Sequence, residues 1–497
     1  MSRRLPIFYN ALILTGVNLL LRFVSTGFQV YLSGKIGAAG IGLLQLVLSV
    51  GGLAMTAGIA GIRTGTMYLT AEELGKRRPE NVSWVISGCM KYSLLCSGFV
   101  AALLLIFAPI IAQRWIGESG VCGIIRIFAF FLPANCLCGV MVGYFTGANR
   151  ISTLAAVEVA EQTCTMIITV LLLLFFADSD PVRACAAVVI GSGMGACFTL
   201  ICLLLLKRRD HTIPGGRIIM RQRLLKTAVP LAIADDLKAG ISTTENLMVP
   251  KRLALYQKIG DPLAAFGMVC GMVFPIFMFP MAILFALAEL LIPELARCAA
   301  AGSGQRIRYL ARRSLRLSLL YGCFFCGILY LLSDELCVLL YGNLEAGMYL
   351  RWFSLLVPML YSDAITDAMI KGLGQQTACV RYNIFTSTMD VILLFLLLPI
   401  YGMKGYFFSF VVTHLINFLL SLRRLLKMTG KLLPVLTPFL TLGGTALAII
   451  LAEFLTQPII KVIAFLFSFG SLLTLFRVVS REDVYWVKGL VFRKETH

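Results

Sequence analysis

Long apolar runs broken by short polar stretches fill this chain from one end to the other. Reading runs of at least ~18 apolar residues as membrane spans predicts about fourteen helices. Their extents are 7–32, 38–62, 84–111, 121–146, 153–176, 183–206, 224–249, 263–292, 313–333, 352–371, 379–400, 403–424, 433–455 and 458–477. A helical bundle follows, because backbone amides in lipid must be satisfied within their own segment. No connection is long enough for a soluble domain. The largest, Lys207 to Arg223 (KRRDHTIPGGRIIMRQR), is a basic linker containing Gly and Pro.

The pattern repeats. Shifted by 225 residues, Arg126, Phe128 and Pro133 meet Arg351, Phe353 and Pro358, while Gly147 meets Gly372 and Gly42 meets Gly267. Lys35-Ile36-Gly37 meets Lys258-Ile259-Gly260 at a shift of 223, which places a two-residue insertion between the two matches. The chain therefore divides into an N-lobe at 1–207 (helices 1–6), a cytoplasmic linker at 208–223, a C-lobe at 224–427 (helices 7–12), and 428–497 with two appended helices and a tail. An even helix number gives both lobes one orientation, with the pseudo-axis along the membrane normal. Duplicated bundles of this kind are typical of secondary transporters, which bind cargo between two lobes.

Composition agrees with a bundle in lipid. Hydrophobic residues make up 59% of the chain and mean hydropathy is +0.88. Charged residues make up 14%, against about 25% in soluble proteins. A net charge of +19 raises nucleic acid as a partner, but the charges sort by side of the membrane. With the N-terminus inside, the inner connections carry about thirty basic residues, a strong positive-inside bias. The outer ones carry nine: Lys35, Arg114, Arg183, Lys251, Arg252, Lys258, Arg351, Lys404 and Lys461. Both termini are expected in the cytoplasm, with membrane lipids and not nucleic acid as partners. The first span follows Arg3 and Arg4; it is too long for a signal peptide and no small-residue cleavage site follows it, so it is read as retained. Nearly all of the fifteen cysteines fall inside spans, and Cys323-x-x-Cys326 reads as apolar filler. No phosphate loop, H-E-x-x-H or nucleophile elbow is present, so no enzyme activity, resident cofactor or metal is expected.

Ionisable groups inside spans are costly, and each is a functional candidate. Lys91, Arg63, Arg126, Glu289 and Glu294 lie near span ends and are read as snorkelling residues. On the first helix Asn18, Arg22, Ser25 and Gln29 share one face, with Arg22 near the bilayer midplane. On the seventh, Asp235, Lys238, Ser242 and Glu245 share a face. A 223-residue shift aligns Arg22 with Glu245, which predicts either a gate between lobes or, as the rival reading, a static Asp235–Lys238 pair within one helix. Asp363, Asp367 and Lys371 line one face of the tenth helix and Asp390 lies deep in the eleventh. Glu158, Glu161, Gln162 and Thr165 line the fifth. Arg22, Asn18, Gln29 and Lys238 are the candidate cavity residues. Asp235, Glu245, Glu161, Asp363, Asp367 and Asp390 are candidates for gating or ion coupling, with Na⁺, H⁺ or the membrane potential as energy source. His414 and Asn417 read as packing residues. Pro275 and Pro280 interrupt the eighth helix.

Several segments carry a family resemblance. GKIGAAGIGLLQLVLSV, TAEELGKRRPENV, ENLMVPKRL, FPMAILFALAELLIPELARCAAAG and LLVPMLYSDAITDAMIKGLGQQTACVRYNIF resemble the stage V sporulation protein B-like branch of the polysaccharide-exporter and flippase families. They cover most of helices 1–12; the last two helices carry no such motif. The resemblance implies an all-α membrane protein with the multidrug/oligosaccharidyl-lipid/polysaccharide (MOP) transporter fold. It also implies movement of lipid-linked sugars across a bacterial cytoplasmic membrane for cell-wall or surface polymer assembly. Related lipid II flippases place functional arginines in their first helix, which bears on Arg22. They also use an arginine in the eighth, and this chain has none there.

The expected activity is thus translocation of an undecaprenyl-diphosphate oligosaccharide by alternating access, by a monomer. Arginine suits a diphosphate because its planar fork binds oxyanions in a bidentate manner. Two alternatives are a cation-coupled multidrug extruder of the same fold and a non-transporting scaffold in envelope or spore assembly.

Overall fold

The computed structural model describes residues 4–59, 61–76, 78–176, 180–208, 220–434, 436–476 and 478, and these are almost entirely helical. The first half holds α1 (Arg4–Ile59), α2 (Ile62–Gly75), α3 (Val82–Ile110), α4 (Val121–Gly147), α5 (Ile151–Phe176) and α6 (Pro181–Arg208). After them come α7 (Met220–Leu253), α8 (Pro262–Gly267), α9 (Phe274–Met278), α10 (Met281–Ala300), α11 (Gly304–Leu331) and α12 (Ser333–Tyr341). The last are α13 (Leu344–Ser354), α14 (Val357–Gly372), α15 (Gln376–Tyr401), α16 (Met403–Thr429), α17 (Leu436–Glu453) and α18 (Pro458–Leu475). Most of the basic linker, 209–219, and the tail beyond 478 lie outside the described residues.

Ten of these helices are long and apolar enough to cross a membrane, or twelve when each of two bent pairs counts as one span. Two features account for the difference from the fourteen expected. The first stretch, Leu19–Gly75, has 57 residues, far more than the ~20 a single crossing needs. It breaks at Gly37 (φ 69°, ψ −179°), a conformation essentially confined to glycine. The 34 residues of α7 fall short on apolarity because of the polar stripe they carry. The eighth span is broken as its prolines predict: a π-helical segment, Met268–Val273, leads into α9, and a 61° bend precedes α10 at Pro280. The repeat's R-x-F-x4-P proline behaves differently in its two copies. Pro133 sits inside an unbroken α4, whereas Pro358 opens α14 after a 55° bend.

By packing, the chain forms two compact units, Met1–Gly271 with Asp390–Tyr406 and Met272–Met389 with Phe407–His497. This division differs in kind from the lobes of the repeat, since α7 and α8 pack with the first half. In the first unit Ile41, Leu44 and Val47 of α1, Ile124 and Leu132 of α4, and Cys185 and Val189 of α6 form a dry core. In the second, Phe277, Phe353 and Tyr361 are fully buried, and the Tyr361 hydroxyl donates to the Phe277 carbonyl at 2.7 Å. The α17–α18 pair packs on α11 where Gly327 leaves room for the Phe465 ring. Outward-facing Leu95, Phe130 and Phe175, each at least 75% exposed, and Phe454 and Phe467 in the second unit leave large apolar side chains on the surface, as expected of helices that face lipid.

The repeat reappears as a contact inside the first unit. A Cβ on Gly42 would lie 2.3 Å from the Leu263 carbonyl oxygen, and one on Gly267 would lie 2.0 Å from that of Ala38. Gly42 and Gly267 are repeat mates, and so are Ala38 and Leu263. The crossing of α1 and α8 is therefore isologous: each glycine meets the mate of the other's partner. Its register fixes the shift at 225 from Ala38 onward, so the two inserted residues are Asp261 and Pro262. Both shape the start of α8: the Asp261 carboxylate accepts from the amides of Leu263 (2.9 Å) and Ala264 (3.0 Å), and proline opens the helix.

Candidate cavity and intramembrane polar sites

The stripe on α7 faces an open space. Asp235, Lys238 and Ser242, spaced to share one helical face, line a cavity of about 460 Å³ together with Thr56, Arg63 and Thr64. Arg63, read from sequence as a span-end residue, is here a wall residue. The helix does not stop after Ile62. It resumes past Gly61, held at φ 69°, and continues to Gly75, which places Arg63 in its first turn, facing the space. Glu158 of α5 lies within electrostatic reach of both Arg63 and Glu161. Among the ion pairs of the described residues none joins Asp235 to Lys238, so the static pairing expected within α7 is not seen. Two cations, one carboxylate and three hydroxyls thus surround a space able to hold a polar, anionic group.

The first-helix stripe is placed differently. Gln162 of α5 donates to the Ser25 hydroxyl at 3.3 Å, and Gln29 donates to the Gly271 carbonyl at 3.3 Å. Arg22 is half-buried on the same helix; neither it nor Gln29 is among the residues walling the cavity. The side chain of Asn18 lies outside the described residues. One face of α1 therefore ties α5 and the π-helical segment Met268–Val273 to it, and Lys238 is the cavity candidate that meets the space directly.

Beyond Ser242 the α7 stripe ends in a pair of carboxyls. Glu245 meets Asp390 of α15 side chain to side chain, and Asp390 is only 8% exposed. Tyr406 and Cys270, whose hydroxyl and thiol are 4.0 Å apart, stand within electrostatic reach of Glu245. Asn246 next door donates to the Ser49 hydroxyl at 2.9 Å, which clamps α7 to α1. The repeat alignment set Glu245 opposite Arg22; the fold sets it against a second acid.

In the second unit the tenth-span acids form a ladder. Asn417 donates to Asp363 at 3.0 Å and Ser421 to Asp367 at 2.8 Å, both pairs 54 residues apart. A constant offset is the signature of two helices, α14 and α16, running parallel. Gln375 and Arg424 extend the ladder, and Lys371 adds a positive charge near Asp363. One oxygen each of Asp363 and Asn417 is buried without a donor. The His414 ring lies tilted by 43° against Phe410, with centroids 4.1 Å apart.

Comparison with known proteins places this architecture. A family model described as MatE matches residues 15–171. The stage V sporulation protein B of Bacillus subtilis is 21% identical over 97% of this chain and 95% of its own length. Among solved structures, the lipid II flippase MurJ in an inward closed conformation aligns with a TM-score of 0.71 at 13% identity, over 93% of this chain and 98% of its own. An inward-facing multidrug-resistance MATE family transporter of the MOP superfamily aligns with a TM-score of 0.65 at 14% identity, over 85% of this chain and all of its own. At such identities the two solved structures establish the fold alone, the one shared by the MurJ flippase and the MATE transporter.

Proposed function

We propose that this chain, a membrane protein of MOP transporter fold, is a flippase for a lipid-linked oligosaccharide carried on a polyprenyl diphosphate. The reading rests above all on the cavity that Arg63 and Lys238 share with Thr56, Thr64 and Ser242. An anionic head must pass ~30 Å of hydrocarbon while its tail stays in lipid. Arg63 offers the diphosphate a bidentate fork and Lys238 a point charge, while the hydroxyls suit a sugar. A volume of about 460 Å³ falls within the ~300–1,000 Å³ range of small-molecule sites. Arg22 provides a further cation along α1, off the cavity wall. The relatives support the cargo class, since one is a lipid II flippase and another a sporulation protein. The protein is placed in a bacterial cytoplasmic membrane with both termini inside, which the charge asymmetry of its connections supports.

Energy coupling is assigned to Glu245 and Asp390. Two acids in contact inside a span form a site whose charge changes when a proton or Na⁺ enters. With a cation bound, the pair can move through hydrocarbon at lower cost; without one, it favours water.

Cation-coupled drug extrusion is the second reading, favoured by Asp235 on the cavity wall and by Glu158 and Glu161 nearby. Flipping of a fluorescent undecaprenyl-diphosphate oligosaccharide in proteoliposomes separates the two. Transport by the wild type, lost in Lys238→Ala and no longer stimulated by an ion gradient in Glu245→Gln, is the expected result. Gradient-driven efflux of a cationic dye without lipid flipping would move the assignment to drug extrusion. Neither activity from folded protein would leave a scaffold.

A further inference from the structure

The face of the membrane opposite the basic linker carries few cations, and three of them gather in one place. Lys251 and Arg252 end α7, and Arg114 lies in a π-helical turn, Ile111–Ile116, that closes α3. The Lys251 ammonium donates to the Arg114 carbonyl. Arg252 donates through Nε (3.1 Å) and Nη2 (2.8 Å) to the Phe395 carbonyl, and its guanidinium lies 3.7 Å over the Phe395 ring. These anchors are neutral carbonyls and a ring. Among the described residues no carboxylate pairs with Arg114, Lys251 or Arg252, so their charges are held in place but not cancelled. The neighbouring acid, Glu118, is turned to the Gly120 amide at 3.5 Å.

Below these cations runs an apolar groove. A cavity of about 410 Å³ extends along α7 from Gly240 to Arg252, with Leu53, Leu247 and Met248 on its walls and Trp115 at its mouth. At 1.5 Å per residue that length is about 18 Å, the depth of one leaflet's hydrocarbon. Trp115 is 44% exposed at a helix end, as expected of a side chain at the membrane–water boundary. Cations at head-group level above an apolar slot of acyl length match an anionic lipid in both charge and shape.

We propose that this groove is a binding site for an anionic phospholipid of the phosphatidylglycerol class. Its phosphate sits between Lys251 and Arg252 and one acyl chain lies along Leu53, Leu247 and Met248. The groove shares no lining residue with the head-group cavity; where the two overlap along α7, Ser242 lines the cavity while Gly240, Thr243 and Thr244 line the groove. A lipid held here braces the helix that carries both the cavity stripe and Glu245, which gives membrane composition a handle on transport.

The test is native mass spectrometry of the full chain released from nanodiscs made of equal phosphatidylglycerol and phosphatidylcholine. One retained phosphatidylglycerol per wild-type chain is expected. Retention should fall about five-fold in Lys251→Gln, the loss of one basic side chain near an anionic lipid, and comparably in Leu247→Trp, which fills the groove. Arg252 is left unchanged because it also braces the Phe395 segment. Equal retention of both lipids, or retention untouched in both variants at unchanged melting temperature, would overturn the proposal. So would displacement of the retained lipid by one equivalent of polyprenyl diphosphate, which would give the groove to the cargo. The first two outcomes leave the Arg63–Lys238 reading untouched; displacement alone would also count against it, which keeps the two failures distinguishable.

Discussion

Around the α7 cavity, Arg63, Asp235 and Lys238 turn toward open space; between α14 and α16, Asp363 and Asp367 turn toward donors on the facing helix. Both groups are charges inside membrane spans, so both are functional candidates on chemistry alone. Their surroundings separate them. A charge turned to open space stays available to a cargo, even with Glu158 in electrostatic reach of Arg63, whereas an acid satisfied by Asn or Ser on a parallel neighbour fixes how two helices pack. The useful question about an intramembrane charge is therefore what it faces.

Substitutions should split along this line. The largest effect is expected from Arg63→Ala with Lys238→Ala. Each removes a charge-assisted contact of about 1.5–3 kcal/mol to the cargo, so flipping should fall by roughly a hundredfold or more. The melting temperature should hardly move, and a drop of many degrees would make the cavity cations structural after all. Next comes Asp363→Leu, which strands the Asn417 amide and should cost about 1–3 kcal/mol in a thermal or denaturant melt. Flipping per folded molecule should survive it. Ser421→Ala, removing one donor to Asp367, should cost about 1 kcal/mol by the same measurement. The smallest change is expected from Asp363→Asn. Two amides can pair reciprocally and supply the donor that the buried Asn417 oxygen lacks, so stability should stay within about 1 kcal/mol of wild type. Loss of flipping in Asp363→Asn at full stability would erase the contrast and move the ladder to the mechanism.

Much of the fold was legible in the sequence because it rests on local signals. Apolar run length marked the spans, Pro280 marked a bend that occurs, and the Gly42–Gly267 match marked the place where the two copies touch. The α7 face was legible too, since helical period alone puts Asp235, Lys238 and Ser242 together. Arg63 was not. The amphipathic segment after Gly61 reads as the end of a span, and only the three-dimensional helix shows that it continues. Nor could sequence pair Glu245 with Asp390. They are brought together by α15 packing against α7, while the repeat pointed Glu245 toward Arg22. The 54-residue offset of the ladder is likewise a property of helix packing, and neither strand of it carries a motif that names its partner.

What the Arg63–Lys238 cavity recognises is tested most directly by binding. Affinity would be measured for a polyprenyl diphosphate and for the uncharged polyprenol of the same chain length, in wild type and in the Arg63→Ala, Lys238→Ala double variant. Wild type should prefer the diphosphate by at least roughly tenfold, and the variant should bind both alike. A preference that survives in the variant, or no preference in wild type, would contradict a head-group site there.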